Sequence, residues 1–154
     1  MKELEIKDLI IRPMEPEDVD EASAIEAAVF SMPWKSADFL EMIEAPYAHY
    51  YFAKDGVSSK IVGILGLRDI AGEGEITNVA VVPEYRRQKV AKALMNQAMA
   101  KCKELGIKDV TLEVRVSNEP AIALYESFDF CGEGIRPGFY EKPSEDALIM
   151  WRRK

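Results

Sequence analysis

The run from Glu75 to Val116 constrains this chain more than any other part of it. It reads as a strand, EITNVAVVP, a short loop, a helix over RRQKVAKALMNQAMAKCKELG, and a second strand, DVTLEVRV. Within the helix Val90, Leu94, Ala98 and Cys102 recur at i+4, Leu105 closes the row, and Gly106 stands where a C-cap belongs. A helix that crosses from one strand to the next in the same sheet requires the two strands to be parallel or nearly so. The fold class is therefore α/β.

The flanking segments fill out that frame. Leu9 to Arg12 is a short strand, and a helix is expected from about Pro16 to Phe30, with Pro16 in its first turn and Glu17, Asp18 and Asp20 complementing its positive end. Pro33 in FSMPW breaks it, and Ser36 is expected to N-cap a second short helix that ends before Pro46. This region is a candidate helical lid. YYFAK, KIVGILGLRDI and EITNVAVVP, separated by turns at Asp55-Gly56 and AGEGE, form an antiparallel meander. A further helix over Glu119 to Ser127 precedes strands at Gly132 to Tyr140 and Ala147 to Trp151.

A chain of 154 residues accommodates one domain, spanning 1–154, and 48% apolar with 31% charged residues is a folded composition. The net charge of -7 argues against a protein that neutralises nucleic-acid phosphates. It fits a cationic partner, or an ordinary solubilising surface. The N-terminal MKELEIKDLIIRPM lacks the features of a signal peptide, and no apolar run is long enough to span a membrane, so a cytoplasmic location is expected. Cys102 and Cys131 have neither a CxxC spacing nor a neighbouring histidine; both are expected to be buried, reduced thiols, and no metal site is expected. His49, the only histidine, reads as a partly buried strand residue.

VAVVPEYRRQKVAKALM carries the clearest chemical signal. A helix N-terminus already holds roughly half a positive charge, so Arg86 and Arg87 beside it are unfavourable unless an anion sits there. With the unpaired N–H groups of the first turn they describe a pyrophosphate seat, or else a solvated basic turn.

Val82 to Ala91, VPEYRRQKVA, resembles the coenzyme A loop of the GNAT acetyltransferases, whose pattern is Gln or Arg, two residues, Gly, one residue, then Gly or Ala. Arg86 and Ala91 match the two ends. Lys89 stands where the family has glycine; it is expected inside the first helical turn, where a lysine costs little. The resemblance covers nearly the whole chain and is nearest to the RimI-type branch, enzymes that acetylate the N-terminal alanine of a small-subunit ribosomal protein. FSMPW, ITNVAVVPEYRRQ, LEVRVSNEPAIALYESFDF and FYEKPSEDALIM carry it.

The resemblance implies a GNAT fold: a central mixed, mostly antiparallel sheet of about six to seven strands with a parallel crossover and about four flanking helices. It implies acetyl-coenzyme A as cosubstrate and a protein N-terminal peptide, from a ribosomal protein, as acceptor. Carried across residue by residue, it makes Glu113 the general base, Tyr125 the general acid and Asn118 a side-chain contact to coenzyme A. It places the acetyl and pantetheine groups along Val79, Ala80 and Val81, and the pyrophosphate at Arg86, Arg87, Gln88, Lys89, Val90, Ala91 and Lys92.

Taken by pattern alone, Glu113 alternates with Leu112 and Val114 as a solvated strand residue, and Tyr125 is equally a packing residue. Phe30 and Trp34 read as lid, pocket or core residues; Glu133, Glu141, Glu145 and Asp146 read as an acidic mouth or plain surface. Two other functions stay open: a GNAT that acetylates a small-molecule amine, and a non-catalytic acyl-coenzyme A sensor.

Overall fold

The computed structural model describes residues 8–86 and 89–153. The elements run β1 (Leu9–Pro13), α1 (Val19–Val29), α2 (Ser36–Glu44), β2 (Ala48–Asp55), β3 (Ile61–Ile70), β4 (Glu73–Val81), α3 (Val90–Leu105), β5 (Val110–Arg115), α4 (Glu119–Glu126), β6 (Cys131–Tyr140) and β7 (Glu145–Arg152). Short 3-10 turns at Pro16–Asp18 and Pro83–Tyr85 lead toward α1 and α3. The strands form one seven-stranded sheet in the order β1-β2-β3-β4-β5-β7-β6, with β4 and β5 its parallel pair. The expected meander and crossover are both present.

Helix α3 sets its apolar row onto the sheet. Val90, Leu94, Met95, Ala98 and Cys102 are at most 2% exposed and share a core with β3, β5 and α4. Leu105 does not close that row; it is 40% exposed. Gly106 adopts φ +74, so the chain turns back, and Ile107 N–H reaches the Cys102 carbonyl at 2.8 Å. Buried Ile107 takes the place expected of Leu105. A second core, with Phe39, Phe52 and Ile64 at its centre, packs α1 and α2 on the sheet.

Two expectations near the N-terminus shift. The turn before α1 begins at Pro16 as expected but is 3-10, and the α-helix proper starts at Val19. Lys35, not Ser36, is the N-cap of α2: its N–H is held by the Asp38 carboxylate at 2.9 Å, while Ser36 Oγ donates to Asp20 Oδ1 at 2.6 Å. Cys131 is exposed at the start of the edge strand β6, so only Cys102 is the buried thiol expected of both. His49 lies half-buried on β2, as expected. Among the described residues no helix is long and apolar enough to cross a membrane.

The site depends on an irregularity in β4. Gly66 of β3 pairs with Asn78 and Leu67 pairs with Ile76, which leaves Thr77 as an extra residue. The side-chain alternation therefore changes phase: Ile76 faces α3, and so do Val79 and Val81, whereas Ala80 packs in the α1/α2 core. The Thr77 and Asn78 side chains both meet the hydroxyl of Tyr50. Gly66 is needed opposite the bulge, because a Cβ there would lie 2.5 Å from Thr77 Oγ1 and from the Tyr50 ring. At the same point β4 and β5 separate; their pairing covers only Gly74–Ile76 against Val110–Leu112.

Candidate active site

Beyond Ile76 and Leu112 the two parallel strands enclose a cleft of about 1550 Å³. It reaches from the N-terminus of α3 past β4 and α4 to the hairpin of β6 and β7. Val79, Ala80 and Val81 line it along the β4 edge that faces β5, where the ladder has ended. Arg86, Lys89, Val90, Ala91 and Lys92 line its α3 end, and Glu113, Asn118 and Tyr125 lie along the β5 and α4 side. Every described residue that the resemblance assigns to catalysis or to coenzyme A thus borders one cavity, whereas Glu133 and Asp146 do not line it. Arg87 and Gln88 lie outside the described residues.

At the α3 end the expectation for Lys89 is overturned. The helix starts at Val90, and Lys89 is its N-cap with φ +64 and ψ 22, in the left-handed region. A side chain there crowds the following carbonyl, at a cost of about 1–2 kcal/mol. On the α4 side of the cleft the cap is a side chain. Asn118 Oδ1 accepts from Ala121 N–H at 3.3 Å, capping α4. Arg86, Lys89 and Lys92 put positive charge beside the first turn of a 16-residue helix, whose N–H groups lack intrahelical partners.

Glu113 is neither core nor fully solvated. Its side chain is 25% exposed, with Oε1 3.2 Å from Arg136 Nη2. Oε2 is buried and has no hydrogen-bond partner among the described residues. Burial raises the carboxyl's pKa above the ordinary glutamate value; Arg136 opposes this and Glu75 adds to it.

Tyr125 is 7% exposed, packed against Phe130 with ring centroids 6.2 Å apart. Its hydroxyl has no hydrogen-bond partner among the described residues, and burial, then Tyr140, pushes its ionisation up. Tyr140, which the sequence reading did not single out, also lines the cleft. Burial, and then the Glu113 charge, push its pKa up to about 12, while the Arg115 guanidinium lies 4.5 Å above its ring.

The acidic mouth is mostly taken up by internal bonds. Glu145 is held by Arg115 at 3.2 Å and by Ser117 N–H at 2.8 Å, which lowers its pKa. Glu133 forms a two-toothed pair with Arg153, and Asp146 accepts from Gly138 N–H at 2.9 Å. Glu141 remains at the cleft mouth. Trp34 does two jobs at once: it borders the cleft and stands 5.2 Å from Phe39 and 6.0 Å from Tyr50 in the α1/α2 core. Phe30 sits at the rim, 39% exposed.

Glu26 was not anticipated. It is 2% exposed, accepts from Trp34 N–H at 3.2 Å and from Asn78 Nδ2 at 3.4 Å, and burial raises its pKa. It joins α1, the segment before α2, and the β4 bulge at the cleft wall. A carboxylate inside the apolar run AIEAAVF was the available signal.

Residues 19–130 match the acetyltransferase (GNAT) family. The chain belongs to that family. It is 43% identical over 143 residues to a Bacillus subtilis protein whose name assigns it, provisionally, to ribosomal protein bS18-alanine N-acetylation; the match covers 92% of this chain and 93% of that one. It is 32% identical over 142 residues to the Escherichia coli ribosomal protein bS18-alanine N-acetyltransferase, covering 91% and 94%. The crystal structure of the ribosomal-protein-S18-alanine N-acetyltransferase from Escherichia coli superposes with a TM-score of 0.87 at 29% identity, over 95% of this chain and 94% of the other. The protein is accordingly a RimI-like GNAT acyltransferase.

Within this GNAT fold, Lys89 occupies a backbone conformation that glycine adopts without cost. Lys89→Gly is expected to stabilise the ligand-free enzyme by about 0.5–1 kcal/mol, the relief of left-handed strain less the greater freedom of the unfolded glycine. A melting temperature higher by about 1–4 °C checks it; an unchanged or lower value would show that Lys89 is not strained.

Proposed function

We propose that this enzyme transfers the acetyl group of acetyl-coenzyme A to the N-terminal α-amine of a protein, an N-terminal alanine of a small-subunit ribosomal protein, in the cytoplasm. The observation that carries the reading is the convergence on one cleft of a half-dry carboxylate, a tyrosine hydroxyl with no hydrogen-bond partner among the described residues and a strand edge whose ladder has ended. Two relatives that match over nine-tenths of the chain, both named for bS18-alanine N-acetylation, support the acceptor.

The cleft suits the cosubstrate. The β4 edge from Val79 to Val81 offers backbone groups to pantetheine amides, the α3 end offers N–H groups and cations to a pyrophosphate, and Asn118 borders the space between. Acetyl-coenzyme A supplies an activated thioester carbonyl. An α-amine with a pKa of about 7.7–8.0 is mostly protonated at neutral pH, so it needs a base before it can attack. Glu113 takes that proton, directly or through a water. Backbone N–H groups of the β4 edge face the negative charge that develops on the carbonyl oxygen. Tyr125 gives its proton to the departing thiolate, and burial keeps that hydroxyl protonated until needed.

Thiol release from acetyl-coenzyme A tests the acceptor, using short peptides that start with Ala or Ser, the same peptides N-acetylated, and spermidine. The highest kcat/KM is expected with the Ala-initiated peptide and none with its acetylated form. A preference for spermidine would replace the protein terminus by a small-molecule amine. Tight coenzyme binding without release to any acceptor would leave a sensor.

A further inference from the structure

We infer that Arg136 occupies, in the ligand-free enzyme, the seat that the acceptor's ammonium group takes beside Glu113, so that acceptors are selected by their ability to displace a guanidinium. The inference rests on the reading of Glu113 as the carboxylate that meets the acceptor, and it adds a residue outside the motifs that carry the family resemblance.

The geometry starts from strand register. Arg136 of β6 pairs with Ala147 of β7, and Ala147 pairs with Arg115 of β5; the adjacent row holds Gly134, Ile149 and Glu113. Residues directly opposed across antiparallel strands share a face, so all of these side chains lie together. Ala147 presents only a methyl group, and Arg136 lies across it until Nη2 stands 3.2 Å from Glu113 Oε1. Ala147 is fully buried although it belongs to neither apolar core. The guanidinium also lies 5.1 Å from the Phe139 ring and stays 54% exposed.

The surroundings make this cation a stand-in. Glu75 from β4 and Tyr140 from β6 face Glu113 without offering it a positive charge. Arg115, next along β5, is committed to Glu145 and to the carbonyls of Glu141 and Pro143. Among the described residues Arg136 is thus the cation that reaches the carboxylate, and it reaches one oxygen only. Oε2 stays buried and, among the described residues, without a donor. An α-ammonium carries three N–H donors on one atom and can serve both oxygens, which a guanidinium approaching from the side does not. A half-exposed pair is weak enough to yield to such a group. Acetylation turns the ammonium into a neutral amide that no longer competes, so Arg136 returns to Glu113 as the product leaves.

Arg136→Ala in the full-length enzyme tests this. KM for an Ala-initiated peptide is expected to fall about two- to fivefold, the size of a lost exposed pair, with a smaller change in kcat. The acid limb of kcat/KM is expected to move up by about half to one pH unit, because Glu113 loses its opposing charge; Arg136→Lys should restore both values most of the way. In the wild type, the side-chain Nε–H resonance of Arg136 is expected to shift on titration with alaninamide and not with N-acetylalaninamide. A KM that is unchanged or higher, an unmoved limb, or a resonance indifferent to alaninamide overturns the inference. Failure of the wild type to turn over Ala-initiated peptides would instead overturn the acceptor reading, and the alaninamide titration would still decide the role of Arg136.

Discussion

Glu113→Gln is expected to lower kcat by about 10²-fold or more with an Ala-initiated peptide at about pH 8, while the protein stays folded. The amide has the size of the carboxylate and its oxygen can still accept from Arg136, but it cannot take a proton. Folding should tolerate the change, because the dry oxygen already lacks a partner and burial already works against the charge. The pH dependence gives a second test. The wild-type kcat/KM should fall as pH drops through the Glu113 pKa, which burial places above the ordinary glutamate value, and that limb should be missing from the residual activity of the variant. A variant that keeps the rate, or the limb, would remove Glu113 from the role of base.

Tyr125→Phe separates chemistry from packing. The rate is expected to fall about 10- to 100-fold, because the thiolate must then leave without its proton donor. Stability should change little, since the ring keeps its packing against Phe130 and the hydroxyl has no hydrogen-bond partner among the described residues. Burial keeps the hydroxyl protonated well past neutrality, so an alkaline fall in rate is not expected from its ionisation. Paired measurements of kcat and melting temperature check both halves. If kcat stays within twofold, Tyr125 is a packing ring and the thiolate is protonated from elsewhere.

Most of the fold was legible because its signals are local. The i+4 row of α3, the Gly106 cap and the alternating strands each depend on residues a few positions apart. Lys89 was misjudged because nothing in RRQKVAKAL marks where helical dihedrals begin, and smooth helix-forming residues hide a left-handed cap. Leu105 was misjudged because the turn at Gly106 hands its place to Ile107. For the site, alternation described Glu113 as solvated, and it is half right: β5, β7 and β6 carry no helix over that face, and the carboxylate is dried on one oxygen only by its neighbours. Arg136, Tyr140 and Glu26 escaped notice for a related reason. Their partners lie on other strands or helices, 23 residues away for the Arg136–Glu113 pair, and pairing across β7 is not written into either segment.

The extra residue at Thr77 bears on how this strand can change over time. Ile76 and Val79 share a face at a spacing of three because Thr77 is extra, so losing Thr77 would leave them two apart and still toward α3, whereas losing a position between Val79 and Val81 would turn one half of the strand over. Loss at Thr77 would remove its contact with the Tyr50 hydroxyl and leave both cores their occupants. The bulge is therefore a place where this strand can shorten by one residue without exchanging its faces, while the regular stretch beyond it is open to substitution alone.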